Sequence, residues 1–552
     1  MSMVKVHDVE WVKNAIGRKV PRSINGEKLY PYEGPFAHRP HKDRKYAPKL
    51  DYMADQTSEI VSTLSEVIDK VGLKDGMTIS FHHHFRNGDK VMNIVLEQIE
   101  KKGIKGLTLA PSSTFPCHEE TIIRCVKNGT ISRIEGGSAR GEIGRMVSTG
   151  EYLEQPMKIR SHGGRVRAIE SGDIQIDVAF IGAPSADELG NLNGVNGPSA
   201  CGTINFSFAD ARFANYVVAI TDNLVEYPNF PMSISQELVD YVVEVDKIGD
   251  PDRIASGELR ITNSPTRLKI AKDAVRIADL LGYVRQDMSF QAGAGGISLA
   301  FTEFLHQRML DKKIQARWAQ GGTTKFLVNM LKDGTVKKLI TGQAFDTVAI
   351  GSMKEDPKNH VGLPIGAYAN IHGKGCTVNK LDVVVLGASE VDLDFNVNTA
   401  TLSNGIIAEP VGGHSDTAAG AGLCIITIPL FRGRYPVVVD KCTTVVTPGS
   451  TVDVIVTERG VAINPGRKDL LEKLKKVKVP KDLRICTIDQ LHSIAHDITG
   501  GRIEPNWGDE IAALIEYRDG TIIDVVRNVV PKYYKDAIFV DKGSKDIERR
   551  EN

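Results

Sequence analysis

The feature that most constrains the fold of this chain is an internal duplication at an offset of 205 residues. The segment IDVAFIGAPSADELGNLN, from Ile176, aligns without gaps with LDVVVLGASEVDLDFNVN, from Leu381, and 7 of the 18 positions are identical. At ordinary composition about one position would match by chance. KNGTI, from Lys127, matches KDGTV, from Lys332, at the same offset. A period this long does not indicate a solenoid and predicts two copies of one domain.

Each copy opens with an amphipathic helical pattern that ends near a glycine and is followed by a short apolar strand. In the first copy the apolar residues between Ile60 and Val71 have helical spacing, and MTISFHHH follows. In the second copy the residues between Ile270 and Leu281 precede DMSFQAGAGG. Apolar runs then alternate with helical stretches, which is typical of α/β domains built on an open, mostly parallel sheet. Ligands are therefore expected beyond the carboxyl ends of the strands.

The duplication divides the chain into four predicted segments. They are a basic, proline-containing N-terminal arm at 1–45, a first domain at 46–262, a second domain at 263–504 and a C-terminal extension at 505–552. The arm is predicted to be a solvated segment that crosses the surface. The extension has no counterpart in the first copy, and its segment NWGDEIAALIEYRDGTIIDVV is predicted to form a helix and a strand.

Charge and cysteine usage exclude several classes of protein. The 69 basic residues balance 69 acidic ones, so no overall field attracts nucleic acid or an anionic membrane. The 7 cysteines are scattered and contain no C-x-x-C pair, which argues against a disulfide framework or a zinc site. The start lacks a signal peptide, and no apolar run approaches the ~20 residues of a membrane span. A cytoplasmic protein with small-molecule or protein partners is expected.

Two loops at equivalent strand ends are the first candidates for chemistry. Gly293, Gly295 and Gly296 could present backbone N–H groups to a phosphate or carbonyl oxygen, although Ser298 breaks the dinucleotide pattern and no Walker lysine follows. The equivalent loop, FHHHFRNGD, carries His82, His84 and Arg86. Consecutive histidines are poor chelators, because neighbouring side chains point in opposite directions, so no metal site is predicted. Contact with an anionic substrate is the functional alternative to structural histidines.

The segment EPVGGHSD is the densest constellation in the chain. Gly412 and Gly413 permit a turn whose N–H groups could form an oxyanion hole, and His414 follows directly. Ser403 and Asn404 precede it and could bind a carboxylate. The segments GGSARGEIGRM and RSHGGRVRA combine Arg, His and Gly in a way that suits carboxylates or phosphates, although surface solvation explains them almost as well.

These motifs, in this order and in duplicate, resemble the CoA-transferase superfamily. FHHHFRNGD, SSTFPCHEE, GGSARGEIGR, QAGAGGISLAF, ARWAQGGTTKF and EPVGGHSDTAAGAG together resemble its citrate lyase alpha-subunit family over residues 50–520. The resemblance implies two α/β domains of CoA-transferase type with the active site between them, and exchange of citrate for acetate on an acyl thioester. It also implies a complex of several subunits: an acyl carrier protein (gamma) subunit with a CoA-like prosthetic group, and a beta subunit that cleaves the citryl thioester. This chain itself is expected to bind no cofactor and to form oligomers.

The resemblance also bears on the nucleophile. Other CoA-transferases use a glutamate in a Ser-Glu-Asn-Gly turn, and by strand order that turn falls on ARWAQGGTTK, which has no carboxylate. The turn at 402–405 has no Glu, and Glu409 is predicted to be structural. The implied route is therefore a ternary complex in which citrate attacks the acetyl thioester and forms a mixed anhydride.

Role assignments follow from the resemblance and from loop position. The predicted catalytic residues are Gly412, Gly413 and His414. The predicted citrate contacts are His82, His84, Arg86, Arg140, Ser403 and Asn404. The predicted contacts of the CoA or carrier end are Gly293, Gly295, Gly296, Gln320, Gly321 and Gly322.

Three alternatives remain open from the sequence. A citramalate CoA-transferase would present similar hydroxylated carboxylates to the same donors. A Glu-dependent acetyl-CoA transferase or hydrolase would require a reactive Glu409. A non-catalytic sensor is a third alternative, because fold alone does not fix function. The density of Gly, His and Arg in the loops disfavours it.

Overall fold

The computed structural model describes residues 3–37, 60–137, 139–151, 153–255, 259–502 and 504–530. We call the described residues 60–255 the first copy and 259–502 the second copy. No helix in these ranges is both long and apolar enough to span a membrane. The division of the chain at 45, 262 and 504 stays a prediction.

The first large sheet has ten strands. They are parallel except for the antiparallel pair at one edge, which the last two strands of the described chain form. Its strands, in spatial order, are Ile522–Val529, Trp507–Glu516, Met157–Arg160, Ile131–Gly136, Leu107–Leu109, Thr78–Ser80, Val178–Ala183, Tyr216–Thr221, Tyr241–Glu244 and Ile60–Val61.

The second large sheet has nine strands, and seven of them repeat the order of seven strands of the first sheet. Seven strands are parallel, and Gly460–Ile463 is antiparallel to its neighbour and parallel to the final edge strand. The strands, in spatial order, are His360–Gly362, Leu339–Ala344, Trp318–Thr323, Ser289–Ala292, Val383–Leu386, Leu423–Thr427, Val454–Thr457, Gly460–Ile463 and Ile485–Cys486.

The duplication predicted from the sequence is confirmed in the strand register. Ser185 pairs with Asn193 in a small sheet beside the first large sheet, and Glu390 pairs with Asn398 in the equivalent small sheet. Both pairs are related by the offset of 205 residues. The central strands Val178–Ala183 and Val383–Leu386 are buried along their whole length, so both faces of each sheet are covered. The predicted α/β class with two open, mostly parallel domains is thereby confirmed.

The remaining elements are helices and small sheets. The helices are Leu64–Lys70, Val91–Lys101, Glu119–Lys127, Gly141–Thr149, His162–Glu170, Phe208–Phe213, Pro251–Ile254, Pro265–Leu280, Gly296–Lys312, Lys325–Lys332, Thr347–Glu355, Ile365–Ala369, His414–Gly420, Lys468–Lys475 and Ile488–Thr499. The small sheets pair Trp11–Lys13 with Lys19–Pro21, Ser23–Ile24 with Glu27–Lys28, Phe431–Arg432 with Tyr435–Pro436, Ser185–Asp187 with Leu192–Asn193 and Leu224–Val225, and Glu390–Asp392 with Val397–Asn398 and Val438–Val439.

The first predicted helix is shorter than its apolar pattern. Ile60 and Val61 form an edge strand beside Tyr241–Glu244, and the helix begins only at Leu64. Thr63 marks the boundary, because its side chain accepts a hydrogen bond from the N–H of Glu66 and caps the helix.

The C-terminal prediction of a helix and a strand is wrong. The segment forms an antiparallel hairpin, and Trp507–Glu516 joins the first sheet in parallel beside Met157–Arg160. Residues 511–516 are buried on both faces, so the alternation that identifies a half-exposed strand is missing from the sequence.

The N-terminal arm is only partly solvated over its described residues, 3–37, because several of its apolar side chains are buried. Val4, Val20 and Leu29 are buried in one cluster with Ile511 and Leu514 of the C-terminal hairpin. The apolar residues of the arm therefore cover the outer part of that hairpin. Residues 38–45 of the predicted arm lie outside the described ranges.

Candidate active site

Direct hydrogen bonds join the two copies along their facing loops. Gln343 donates from Nε2 to the carbonyl oxygen of His83 at 2.9 Å. Asn370 donates to Glu170 at 2.5 Å. One hydrophobic cluster also crosses the boundary, because Tyr368 of the second copy belongs to the core of the first. The loops between the copies are therefore held at fixed positions.

His82 and His84 are occupied inside the first copy. His82 Nε2 lies 3.2 Å from Asp210, which also accepts two hydrogen bonds from Arg165, at 2.7 and 2.9 Å. His84 Nε2 lies 2.8 Å from the carbonyl oxygen of Gly182, and burial lowers its pKa to about 4. The ring of His84 is hydrogen-bonded within the first copy, whereas in the described ranges both ring nitrogens of His82 are buried without a hydrogen bond and Nε2 makes only the ion-pair contact. The predicted contact of both residues with citrate stays a prediction.

His83 contacts the second copy through its main-chain carbonyl, which accepts from Gln343, while its ring packs on residues of the first copy. Its N–H donates to Ser112 Oγ at 3.0 Å, and its Nδ1 lies 2.7 Å from the same oxygen. The ring stacks on His162 at a centroid distance of 5.6 Å and contacts Phe206 at 4.2 Å. Burial, followed by the charge of His162, lowers the pKa of His83, so the imidazole is neutral at pH 7. The sequence analysis did not select His83, although the alternation of neighbouring side chains was the available signal.

His162 connects this histidine to the Gly412 turn. It is the first residue of the helix His162–Glu170, which Ser161 caps, and its N–H donates to the carbonyl oxygen of Gly412 at 2.9 Å. Burial first, and then the charge of Arg165, lower the pKa of His162 to about 4. Two stacked, neutral imidazoles therefore lie next to the glycine turn.

Two arginines lie close together near the boundary. The guanidinium of Arg86 lies 4.4 Å from the ring centroid of Phe345 in the second copy, and that of Arg140 lies 4.8 Å from the ring of Phe115. Burial and the charge of Arg140 lower the pKa of Arg86 to about 10, and burial lowers the pKa of Arg140. Within the described ranges neither side chain forms an ion pair or a hydrogen bond, and Arg140 Nε is buried without a partner. Two neighbouring, half-buried cations of this kind favour the binding of an anion.

The turn at Gly412 and Gly413 has the geometry of a donor site. Gly412 has a φ of 55°, a left-handed conformation that favours glycine. Within the described ranges, neither N–H of this glycine pair donates to a protein acceptor, while the Gly413 carbonyl accepts from Thr417. The turn can therefore offer two backbone donors to an oxygen that gains negative charge.

His414 makes contacts through both ring nitrogens. Nδ1 lies 2.7 Å from Thr447 Oγ1, and Nε2 lies 2.9 Å from the carbonyl oxygen of Gly387. A carbonyl only accepts, so Nε2 carries the proton and Nδ1 accepts from the Thr447 hydroxyl. Burial lowers the pKa of His414 to about 4. In this geometry the ring positions the glycine turn, and the predicted direct catalytic role stays a prediction.

The predicted carrier-binding residues come together at adjacent strand ends. Gln291, directly before the glycine loop, pairs with Gln320 across the sheet, and Gln320 Nε2 donates to Gln291 Oε1 at 3.2 Å. Gly321 has a φ of 110°, and a methyl group on Gly322 would collide with the ring of Phe345. Gly295 faces open space, with no atom within 4 Å of an added Cβ. Gly293 and Gly295 are exposed, whereas Gln320 and Gly321 are buried beneath them, so the accessible part of this glycine-lined surface is the loop.

Ser403 and Asn404 lie in a turn that packs on the C-terminal hairpin. Asn404 Oδ1 accepts from the N–H of Ile406 at 3.1 Å. A Cβ on Gly405 would lie 2.8 Å from Trp507. The structure gives this turn a packing function, and the predicted role of Ser403 and Asn404 at citrate stays a prediction.

Glu409 is exposed and lies near two arginines. Burial lowers the pKa of Arg140 and of Arg432, and the charge of Glu409 opposes the shift at both. The backbone N–H of Glu409 bonds to the carbonyl of Ala400 at 3.4 Å. The carboxylate of Glu409 therefore acts on the electrostatics of Arg140 and Arg432.

Asp416 and Tyr368 make further polar contacts that were not predicted from the sequence. Asp416 accepts from Ser161 Oγ at 2.7 Å and from the N–H of Gly163 at 2.9 Å. Tyr368 donates its hydroxyl to Gln291 Oε1 at 2.6 Å. Burial raises the pKa of Asp416 to about 6 and also raises the pKa of Tyr368. These groups connect the glycine turn and the glycine loop to the surrounding framework.

Comparisons with known proteins agree on one family. The model of the family "Citrate lyase, alpha subunit (CitF)" matches residues 57–529. The citrate lyase alpha chain of Klebsiella pneumoniae is 45% identical over 471 residues, covering 85% of this chain and 91% of that protein. The citrate lyase alpha chain of Haemophilus influenzae is 43% identical over 494 residues, covering 89% and 97%.

Solved structures extend the comparison to the fold. The crystal structure of the putative citrate lyase alpha subunit of Streptococcus mutans, in complex with citrate, has a TM-score of 0.89 and 45% identity, and the match covers 94% of this chain and 100% of that one. A Pseudomonas malonate decarboxylase hetero-tetramer has a TM-score of 0.57 at 15% identity over 76% of this chain and 82% of that one, which shows similarity of fold alone.

Proposed function

Because the chain belongs to the citrate lyase alpha-subunit family, an enzyme family of citrate metabolism, we propose that it exchanges citrate for acetate on an acyl thioester. The products are a citryl thioester and acetate. The thioester donor is an acyl carrier protein subunit with a CoA-like prosthetic group, for which acetyl-CoA can substitute. A separate beta subunit then cleaves the citryl thioester within an oligomeric complex.

The observation that carries this proposal is the pair of half-buried arginines, Arg86 and Arg140. Burial first, and then the charge of Arg140, lower the pKa of Arg86 only to about 10, and an arginine keeps its charge at pH 7, so both guanidinium groups are charged. Citrate offers three carboxylates, and planar guanidinium groups bind carboxylates with two parallel hydrogen bonds. Two carboxylates can be bound by the arginines while the third faces the glycine turn.

Substrate identity is supported by the relative that contains citrate. The Streptococcus mutans structure is described as a complex with citrate and shares 45% of its sequence with this chain. This favours citrate over citramalate as the acceptor. Citramalate has one carboxylate fewer, so it would leave one of the charged contacts unmade.

The reaction then balances without an enzyme nucleophile. A carboxylate oxygen of citrate attacks the acetyl carbonyl, the C–S bond breaks, and a citryl-acetyl anhydride and a thiolate form. The thiolate attacks the citryl carbonyl of the anhydride, and acetate leaves with the bridging oxygen. Positioning both substrates in one cleft can lower the activation free energy of these steps by ~7–11 kcal/mol.

The glycine turn and the neutral histidines suit the two tetrahedral intermediates. The N–H groups of Gly412 and Gly413 would bind the developing oxyanion, and one such donor contributes roughly 3–4 kcal/mol. His83 and His162 remain uncharged at pH 7, so they can contribute hydrogen bonds without pairing with the substrate carboxylates. His414 positions the turn.

The carrier end of the thioester would lie on the glycine-lined surface. Gly293, Gly295 and Gly296 lie beside Gln320, Gly321 and Gly322 at neighbouring strand ends. Backbone N–H groups and small residues allow an extended pantetheine-like arm to approach closely.

An exchange assay tests the proposed function. The purified chain is incubated with acetyl-CoA and, separately, with citrate, citramalate, acetoacetate and succinate, and the thioester products are identified by mass spectrometry. We expect citryl-CoA with citrate and much slower product formation with the other acids. Release of free CoA at a rate independent of the added acid would contradict the proposal and indicate a hydrolase.

A further inference from the structure

A group of potential metal ligands lies on the second copy, outside the residues assigned to acyl transfer. His492 and His496 occupy neighbouring turns of the helix Ile488–Thr499, and Asp440 directly follows the strand Val438–Val439. One ligand atom from each residue lies within 4.8 Å of the other two. The two imidazole centroids are 4.1 Å apart.

The histidine nitrogens in this group lack hydrogen-bond partners. Nε2 of His492 and Nε2 of His496 are both buried, and within the described ranges neither forms a hydrogen bond. Asp440 Oδ1 approaches His492 Nε2 to 3.1 Å as an ion-pair contact. Buried polar atoms without a partner are uncommon, because the hydration lost on burial is not replaced. One cation between the three residues would satisfy both nitrogens at once.

We propose that Asp440, His492 and His496 bind one divalent transition-metal ion, with Zn²⁺ as the best-suited ion. Two histidines at i and i+4 on a helix, with a carboxylate from another element, form a metal-binding arrangement that suits Zn²⁺, Co²⁺ and Ni²⁺. Hard cations such as Mg²⁺ prefer oxygen ligands and bind here more weakly.

Side-chain rotation is needed to hold the ion. Zinc–nitrogen and zinc–oxygen bonds of about 2.0–2.2 Å in a tetrahedral site place the ligand atoms roughly 3.3–3.6 Å apart. The three ligand atoms now lie within 4.8 Å of one another, so they must move closer together. The Asp440 side chain is 73% exposed and can rotate, while the His492 side chain is 17% exposed and held by the helix. A water molecule completes the coordination at the open side.

The ion would join two elements that are distant in sequence. It would fasten the helix Ile488–Thr499 to the segment that follows Val438–Val439. That segment continues to Thr443, which donates from N–H and Oγ1 to the buried carboxylate of Glu390. We therefore expect bound metal to stabilise this part of the second copy and to leave acyl transfer unchanged.

Calorimetric titration of the metal-free full chain with ZnCl₂ tests the site. The wild-type chain is compared with His496→Ala, with the larger replacement His496→Gln, and with His492→Ala. His306→Ala is the matched control, because His306 also lies on a helix, 2.5 Å from an aspartate, but lacks a second histidine one turn away. Titration with CoCl₂ adds the visible absorption bands of cobalt bound to nitrogen ligands.

We expect one Zn²⁺ per wild-type and control chain, and a loss of more than about 100-fold in affinity in each of the three site variants, since even outer-shell changes cost about 10–100-fold. Metal should also raise the melting temperature of the wild-type and control chains only. Equal affinity in the wild-type and either folded His496 variant, or no binding of Zn²⁺ and Co²⁺ to the wild-type chain, would overturn the proposal.

Discussion

Ser161 of the first copy donates its hydroxyl to Asp416 of the second copy at 2.7 Å. The other carboxylate oxygen of Asp416 accepts a hydrogen bond from the N–H of Gly163 at 2.9 Å, so this aspartate binds the residues on both sides of His162. At the same helix end, the N–H of His162 donates to the carbonyl oxygen of Gly412. The position of the glycine turn relative to the histidine pair therefore depends on this contact between the copies.

The Asp416→Asn variant tests the raised pKa of the buried carboxylate through the pH dependence of stability. Burial raises the pKa of Asp416 from 3.8 to about 6, so the folded state favours the protonated form. This contribution to stability is complete below the unfolded pKa and is lost as the pH rises through about 6. Between pH 4 and pH 8 the titration of Asp416 should lower the free energy of unfolding of the wild type by about 2–3 kcal/mol, and this contribution should be absent from the variant. Urea denaturation at both pH values measures the difference, and identical pH dependence in the two proteins would refute the shifted pKa.

Replacing Arg140 by Gln should weaken citrate binding. A hydrogen bond to a charged group contributes about 1.5–3 kcal/mol, so KM for citrate should rise roughly 10–100-fold. Stability should stay unchanged or increase, because a buried charge without a protein partner is removed. Arg317→Gln is the control, since the guanidinium of Arg317 also lies over an aromatic ring, 4.3 Å from the Trp318 centroid. A KM for citrate equal to that of the control would exclude Arg140 from the substrate site.

Two glycine substitutions separate carrier binding from folding. In Gly295→Ala the new methyl group meets nothing within 4 Å, so the free energy of unfolding should change by less than about 0.5 kcal/mol. KM for the thioester should nevertheless rise, because the methyl group occupies the surface assigned to the carrier end. Gly322→Ala should instead lose about 1–3 kcal/mol of stability, because its Cβ collides with Phe345. An unchanged KM in Gly295→Ala would remove the glycine loop from the carrier site.

The Glu409→Gln variant tests the route without an enzyme nucleophile. We expect citryl transfer to continue within a few-fold of the wild-type rate, because the carboxylate of Glu409 acts on Arg140 only through its charge. KM for citrate should fall slightly, since a negative charge near the arginine pair is removed. Initial rates at saturating thioester measure both effects. A loss of activity by several orders of magnitude in a folded variant would establish Glu409 as the nucleophile.

The duplicated framework could be predicted because a sequence repeat and the apolar runs of buried strands are both visible in the amino-acid sequence. Apolar runs identified the central strands, and the offset of 205 residues placed the second copy on the first. Arg86 and Arg140 were selected because Arg in a loop after a parallel strand suits an anionic ligand. The C-terminal hairpin was not predicted, because residues 511–516 are buried on both faces and lack alternation.

The orientation of the histidine tract could not be predicted for a physical reason. His82, His83 and His84 are identical in chemistry, and only tertiary packing decides which of their rings stacks on His162 beside the glycine turn. The rings of His82 and His84 are nearly parallel, with an interplanar angle of 7°, and point into the first copy. The contact between Ser161 and Asp416 joins residues 255 positions apart, which local patterns do not encode.

A single turnover with citrate labelled by ¹⁸O in its carboxylates tests the central claim most directly. In the ternary route the bridging oxygen of the anhydride comes from citrate and leaves with acetate. We therefore predict that the first acetate released carries one ¹⁸O atom and that the protein acquires none, as measured by mass spectrometry of acetate and of the intact chain. Unlabelled acetate in the first turnover, with ¹⁸O transferred to a carboxylate of the protein, would contradict the direct exchange and indicate a covalent enzyme intermediate.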